Sequence, residues 1–378
     1  MIDENNSRSV NDTPSGSRRR FLRASGAAGV LGVSGLAGCL GGLGSGGSVT
    51  INMLAWDDFD LFSDGVEEKL DITLEVTKSN SSAEMFSAWN SGEDEQYDIT
   101  VPNNNYVRNF VQADLVEPVD RDIVDNWDNL YSKFHEFADD QFTDGDGNVY
   151  GVPIRFGWYG YSYDSREIPE DHNQSYSQLF NEEYEGQIIM YDNHFKAMSM
   201  VALLEGYRDA FEGARVTLSQ EGIDQVKEKM IDQKDLLQGY IGPDSTFIQS
   251  FTQGNFSIGQ SGRNEIIDMQ RDGNDWARMA SPEEGEMAWF EGAVVSSKSD
   301  NKDVAWEVIN EYIDQEWGAQ FADAASTPSC NPQTVEELDS ELQEMFGFGP
   351  ERLDGMIPFK PVENEDAWIS AWEEIKSA

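Results

Sequence analysis

The chain has 378 residues, and its 71 acidic residues against 26 lysines and arginines give a formal charge of −45. This length is enough for two domains, or for one unit with two lobes. The acidic excess excludes nucleic-acid binding through phosphates, because such binding needs a basic face. Two cysteines are too few for a disulfide framework or for a cysteine-based zinc site.

The acidic residues are spread along the whole chain, and lysines are few. This composition resembles that of proteins from salt-loving archaea, whose surface carboxylates hold water in concentrated salt. At 1 M salt the electrostatic screening length is about 3 Å, so repulsion between surface carboxylates is weak. No acidic residue is therefore assigned a function on its charge alone.

The N-terminal segment has the pattern of an export signal. Arg18 and Arg19 precede a glycine-rich apolar run over residues 24–36, which is too short to span a bilayer. This pattern predicts a twin-arginine signal over residues 1–38, which a receptor reads and which is not itself an anchor.

A lipid attachment site follows the signal. The Leu-Ala-Gly-Cys sequence that ends at Cys39 is typical of a lipobox, and residues 39–48 form a glycine-rich tether. We expect Cys39 to carry a lipid that holds the exported protein on the outer face of the cytoplasmic membrane. The other cysteine, Cys330, has no partner for an intramolecular disulfide, and we interpret it as a structural thiol.

The body of the chain begins with alternating strand and helix patterns. Period-two and β-branched runs predict strands, and apolar residues at helical spacing predict helices. In chain order, these are a strand over 49–56, a helix near 59–66, a strand over 71–77, a helix opened by the Ser81–Glu84 capping box, a strand over 98–102 and a helix near 107–111. This order predicts an α/β fold with a parallel sheet covered by helices.

A second alternating set follows residue 150. It predicts strands over 157–163, 187–191, 256–261 and 292–297, and helices over 195–204, 221–237, 264–271, 303–313, 317–325 and 366–375. Before this set, Asp144 begins a stretch that resembles a calcium loop, but the sixth and twelfth positions are Val149 and Arg155 instead of Gly and Glu. We therefore predict a hairpin turn there and no metal site.

Candidate ligand-binding residues follow from the predicted sheet, because ligands of open α/β sheets bind outside the carboxyl ends of the strands. The residues at those ends combine tryptophans, carboxylates and amides, and none of them is basic. Ring faces and carboxylates attract ammonium groups, so this set predicts a cation site, with core packing as the alternative for each tryptophan. The candidates are Trp56, Asp57, Asp58, Asn103, Asn105, Asp192, Asn193, Gln260, Trp289 and Glu291.

The sequence carries no pattern that predicts an enzyme. Ser261 lies in Gly-Gln-Ser-Gly instead of the Gly-x-Ser-x-Gly of hydrolases. The three histidines are scattered and lack the spacing of metal ligands. We expect no catalytic activity and no cofactor.

Five short segments, in their order and spacing, resemble the spermidine/putrescine-binding protein family of ABC importers. They are residues 54–59, 97–102, 150–153, 184–188 and 289–292, and the resemblance extends over 49–378. It implies the two-lobed type II periplasmic-binding-protein fold, with the ligand cleft between the lobes. The implied first lobe is 49–155 plus 289–330, and the implied second lobe is 156–288 plus 331–378.

The resemblance also implies which residues bind the ligand. The stacking and acidic roles after the first strand fall on Trp56, Asp57 and Asp58, with Phe59 where a tyrosine is common. The pair that grips one amine falls on Trp289 and Glu291.

The chain departs from the family at several of the other contacts. Asn103 and Asn105 stand where the family has a serine and a tyrosine. In the second lobe, Asn193 and Lys196 stand where it has Asp and Glu, and Gln260 stands where it has tryptophan. Asp192 replaces the missing acid only if the alignment shifts by one position.

Together these features predict an extracellular receptor of an ABC importer. We expect it to bind a polyamine, spermidine or putrescine, or a similar small organic cation, and to deliver it as a monomer to ABC permease subunits. A receptor of the same fold for a sugar or a metal chelate is one alternative. An exported hydrolase is the other.

Overall fold

The computed structural model describes residues 48–242, 244–347 and 350–378, without the side chains of residues 350 and 351. The predicted signal with Arg18 and Arg19, the lipidation site Cys39 and most of the tether lie outside these residues. Residues 47–378 form one compact unit. Among the described residues, no helix is both long and apolar enough to cross a membrane.

The described part of the chain contains ten strands and thirteen α-helices. The strands are β1 (Thr50–Ala55), β2 (Thr73–Lys78), β3 (Ile99–Thr100), β4 (Val152–Asp164), β5 (Ile188–Tyr191), β6 (Leu237–Ile241), β7 (Ile258–Gly262), β8 (Ala277–Met279), β9 (Met287–Val295) and β10 (Ile357–Pro358). The helices are α1 (Ser63–Leu70), α2 (Ser82–Asn90), α3 (Asn104–Gln112), α4 (Ser132–Gln141), α5 (His194–Leu204), α6 (Gln220–Gln233), α7 (Asp244–Thr252), α8 (Arg263–Arg271), α9 (Lys302–Tyr312), α10 (Gln315–Ala324), α11 (Ser340–Phe346), α12 (Pro350–Gly355) and α13 (Glu365–Ser377).

The strands form a mixed sheet in the order β2-β1-β3-β9-β4-β7-β5-β6, with β10 beside β9 and β8 beside β4. At one end, β1 pairs in parallel with β2 and β3, and at the other end β5 pairs in parallel with β6 and β7. The central strands β4 and β9 are antiparallel to each other and to their outer neighbours β7 and β3. The predicted α/β class is confirmed.

Two local features that the sequence predicts, the cap of helix α2 and the turn near Asp144, are present in the structure. The Ser81 hydroxyl accepts a hydrogen bond from the Glu84 backbone amide at 3.1 Å, and the Glu84 carboxylate accepts one from the Asn80 amide. This confirms the predicted cap at Ser81, but the Glu84 carboxylate binds the amide before the cap residue and not that of Ser81, so the reciprocal half of the capping box is absent. The predicted turn near Asp144 also forms, because Thr143 bridges to Val149 across it.

Among the described residues, the two largest of four hydrophobic cores both include residues of β4 and β9, which is the packing of a two-lobed fold. In β4, Ile154, Phe156 and Trp158 pack in the first core, while Tyr161 and Tyr163 pack in the second. All residues of β4 and β9 are buried. These two strands therefore connect the lobes and separate their cores.

The structure differs from the sequence-based expectation in several elements, and the sheet is mixed instead of wholly parallel. Strand β4 begins at Val152, five residues before the predicted strand, because its first residues pair with Ala293 and Gly292 of β9. The predicted helix over 221–237 ends earlier, and its last residue, Leu237, begins strand β6 beside β5. The short strands β8 and β10 have no counterpart in the prediction.

Gly157 allows the indole of Trp289 to lie directly against β4. The two residues are paired across β4 and β9, and a β-carbon at Gly157 would lie 2.5 Å from Cζ2 of Trp289. No real β-carbon approaches a ring atom that closely, so any larger residue at this position displaces the indole.

We predict that Gly157→Ala lowers the free energy of unfolding by about 1–3 kcal/mol, because it overpacks a buried contact. The matched control is Gly239→Ala in β6, where a β-carbon meets no atom within 4 Å. Chemical denaturation in molar salt measures both variants. Equal stability of the two variants would contradict the prediction.

Candidate functional site

Arg155 of β4 lies between two of the predicted site acids. Its guanidinium forms a bidentate pair with Glu291, with Nε to Oε2 at 2.7 Å and one terminal nitrogen to Oε1 at 3.0 Å. It also contacts both carboxylate oxygens of Asp58, one of them at 3.0 Å. The acids expected to hold a ligand's ammonium group therefore share a cation that belongs to the protein.

Burial and charge act in opposite directions at this pair. Burial alone would lower the pKa of the Arg155 guanidinium, but Asp58 and Glu291 more than compensate and raise it. Burial raises the pKa of the Glu291 carboxyl to about 7, although the neighbouring guanidinium pulls it down. Arg155 thus offsets the energetic cost of burying the charged Glu291 carboxylate.

Aromatic rings surround the arginine and extend the site along β4. The guanidinium carbon lies 4.8 Å from the ring centre of Phe59, a fully buried residue packed against Phe321. On the same side, the indole of Trp289 covers Gly157. Phe59 therefore stacks on an internal cation, and Trp289 is the indole nearest to the ion pair along the paired strands.

The strand ends of the first lobe hold three further candidates. Trp56 follows β1, and its buried indole nitrogen has no hydrogen-bond partner among the described residues. The same holds for Oδ1 of Asn105, in the first turn of α3. The backbone of Asn103 bridges to that of Glu291, which brings the start of α3 beside the ion pair.

Four other candidates have partners of their own. Asp57 is exposed and pairs with Lys78 at 2.7 Å, and Asp192 is exposed and pairs with Lys376 at 2.9 Å. Asn193 caps α5 by accepting from the Lys196 amide. Gln260 is fully buried; its Oε1 accepts from the Tyr191 amide and its Nε2 donates to the Lys196 carbonyl. In this structure the side chains of Asn193 and Gln260 therefore form hydrogen bonds within the second lobe.

A second protein cation lies at the other end of the site. The Lys196 ammonium donates to the Tyr159 hydroxyl at 2.5 Å and lies 3.9 Å and 4.4 Å from the ring centres of Tyr159 and Tyr191. Burial raises the pKa of the Tyr159 phenol, and Asp244, Glu265 and Glu291 raise it further. Tyr159 is therefore close to the acids of both lobes.

The site runs along one side of β4. Arg155, Gly157 and Tyr159 are alternate residues, and the first and last are separated by about 13 Å at about 3.3 Å per residue. Arg155 and Tyr159 are site residues that the sequence pattern did not predict. A charged residue inside a run of apolar strand residues was the available signal, because such a residue needs buried acidic partners.

The comparisons with known proteins agree with this architecture. The model of the family described as bacterial extracellular solute-binding protein matches residues 63–344. The chain belongs to this family. Its members are solute-binding receptors of ABC transporters and not enzymes, and the Salmonella relative described next is periplasmic, consistent with an exported protein.

Three similar proteins are informative. The spermidine/putrescine-binding periplasmic protein of Salmonella typhimurium is 20% identical over 263 residues, which cover 69% of this chain and 71% of the relative. A spermidine/putrescine ABC transporter substrate-binding protein from Streptococcus pneumoniae superposes with a TM-score of 0.73 at 19% identity, over 87% of this chain and 99% of that one. A putative spermidine/putrescine ABC transporter protein from Listeria monocytogenes gives 0.72 at 20% identity, with the same coverage. The two-lobed type II fold is thereby established.

We predict that Arg155→Met lowers the free energy of unfolding by about 3–5 kcal/mol near pH 8, because it leaves the Glu291 carboxylate buried without its partner. The loss shrinks towards pH 5.5. Arg155 lowers the pKa of Glu291, so without it the folded-state pKa rises above the value of about 7 in the wild type; the variant therefore takes up the proton at higher pH and recovers part of the loss as the pH falls.

Denaturant titrations at several pH values in molar salt measure this effect. Lys78→Met, which removes a surface partner of Asp57, is the control and costs about 0–1 kcal/mol. Equal losses in the two variants, or a loss in Arg155→Met that does not change with pH, would show that the ion pair has no such role.

Proposed function

We propose that the solute is a small organic cation, of the polyamine class or close to it, bound in the cleft between the lobes. The observation that supports this most directly is the excess of acid along the site. Four carboxyl groups accompany two protein cations there, beside indole and phenol rings; the carboxyl groups are those of Asp58, Asp244, Glu265 and Glu291, and the cations are Arg155 and Lys196. Rings and carboxylates are the groups that bind ammonium ions.

The names of the relatives support the same ligand class. The Salmonella and Streptococcus proteins are named for spermidine and putrescine. In this chain, Arg155 and Lys196 lie within the site itself. Because each of these cations offsets one carboxylate, we expect amines with one or two charges to bind more tightly than spermidine.

The remaining expectations complete the proposal. We propose that the ligand contacts both lobes, so that binding favours a closed state from which a permease receives it. We propose that the lobes divide near 49–155 plus 289–330 and 156–288 plus 331–378. The receptor acts as a monomer, held at the membrane by a lipid on Cys39.

We predict that calorimetry in molar salt detects binding of 1-aminobutane or putrescine, with weaker binding of spermidine and none of sugars or ferric chelates. Trp56→Ala weakens amine binding at least tenfold, because it removes an indole ring at the end of β1 whose face attracts ammonium groups. Trp276→Ala is the matched control, since this tryptophan packs on Arg166 and Phe251 away from β1. Binding of sugars or chelates alone would overturn the cation proposal.

We also predict that Cys39→Ser releases the exported protein into the medium, because the thiol is the attachment point of the lipid. Fractionation of the producing cells followed by immunoblotting measures the distribution. The control is Cys330→Ser, which changes a buried thiol and leaves attachment intact. Membrane retention of the Cys39→Ser protein would contradict the proposed anchor.

A further inference from the structure

A group of unpaired polar atoms lies where β7 ends and α8 begins. Glu265, in the first turn of α8, is fully buried. Its Oε1 accepts hydrogen bonds from the Tyr191 hydroxyl and from the Gly262 amide, the latter at 3.2 Å. Its Oε2 is buried and has no hydrogen-bond partner among the described residues, and the same is true of Oδ1 of the adjacent Asn264.

The two unpaired oxygens converge on one point of the backbone. A β-carbon at Gly262 would lie 2.4 Å from Oε2 of Glu265, 2.8 Å from Oδ1 of Asn264 and 3.1 Å from the ring of Tyr159. Gly262 is paired with Tyr159 across β7 and β4, so this point adjoins the proposed site. The two unpaired oxygens and the edge of the Tyr159 ring therefore lie close together beside Gly262, which has no side chain.

Among the described residues, no neighbouring group donates a hydrogen bond to Oε2 of Glu265. Tyr191 lies within hydrogen-bond distance of both Asp244 and Glu265, but a phenol has a single hydrogen and cannot donate to both. Lys196 donates a hydrogen bond to the Tyr159 hydroxyl and forms no ion pair with Glu265 in the described part of the chain. A buried acceptor without a donor is unfavourable, so this carboxyl either takes up a proton itself or binds a donor from a ligand.

We propose that Glu265 and Asn264 form a subsite for one N–H-bearing ammonium group of the ligand, beside the ring of Tyr159. This inference rests on the proposed function and assigns the ligand's amine to the second lobe. The acids of the first lobe are unavailable for that role, because Asp58 and Glu291 already hold Arg155. Two acceptor oxygens need N–H donors, so the subsite selects primary amines over quaternary ammonium ions.

Occupation of this subsite is coupled to a proton. Burial, followed by the nearby Asp244 carboxylate, raises the pKa of Glu265 to about 8, while Tyr191 and Lys196 act in the opposite direction. The empty site is therefore mostly protonated at neutral pH, and an arriving ammonium group expels that proton. Affinity rises with pH up to about 8, by at most about tenfold per pH unit for one linked proton.

The test is calorimetry in molar salt with putrescine and 1-aminobutane, each beside its N-trimethylated analogue, in buffers of different ionisation enthalpy. We expect the wild type to bind the primary amines at least tenfold more tightly than the methylated ions and to release a proton at pH 7. In Glu265→Gln, we expect the preference and the proton release to disappear. Asn264→Ala, a milder change, loses part of the preference.

The matched control is Glu311→Gln, a buried glutamate of α9 whose pKa burial also raises. We expect it to bind as the wild type does, and circular dichroism verifies that each variant is folded. Unchanged affinity, preference and proton release in Glu265→Gln and Asn264→Ala would overturn the subsite while leaving the cation receptor standing. Failure of the wild type to bind any amine between pH 6 and 9 would overturn both.

Discussion

The pairing of Arg155 with Asp58 and Glu291 is the interaction on which the candidate site depends. It joins three segments: the turn after β1, the first half of β4 and the second half of β9. A fully buried guanidinium needs carboxylates, and a buried carboxylate needs a cation, so neither partner could be kept without the other. The arrangement also removes two acids from the set open to a ligand, which moves the expected amine contact towards the second lobe.

Strand β4 organises the rest of the site. Its register with β9 is irregular between Pro153 and Phe156, and Arg155 lies inside this irregular stretch. Such irregularities commonly redirect a side chain. Beyond it the alternation is regular, with Gly157 under an indole and Tyr159 beside Lys196. Strand β4, which contributes to both cores, thus carries in order a cation, a glycine covered by an indole, and a phenol.

The sequence predicted the parts of the fold that local pattern determines. The alternation of strands and helices over 49–111 and the cap at Ser81 depend on near neighbours, and the structure confirms them. Leu237 was placed in a helix, because apolar spacing alone does not separate a helix end from a short strand whose partner, β5, precedes it by some fifty residues. Arg155 was not recognised because its acidic partners lie 97 and 136 positions away. Asp57 and Asp192 were placed at strand ends, but a sequence does not reveal that surface lysines pair with them.

Cys330 gives the connection between the lobes an unusual property. Its backbone amide donates to the Ile154 carbonyl, and the neighbouring Pro328 carbonyl accepts from Phe156, so a third segment runs beside β4 at the irregular stretch. Burial keeps the thiol protonated and inaccessible, and the sequence holds just one other cysteine, at position 39. Thiol reagents therefore react with Cys330 only when the contact between residues 328–330 and β4 opens, so the reaction rate depends on the frequency of that opening. The rate at which Cys330 is modified would therefore measure local opening where this segment contacts β4.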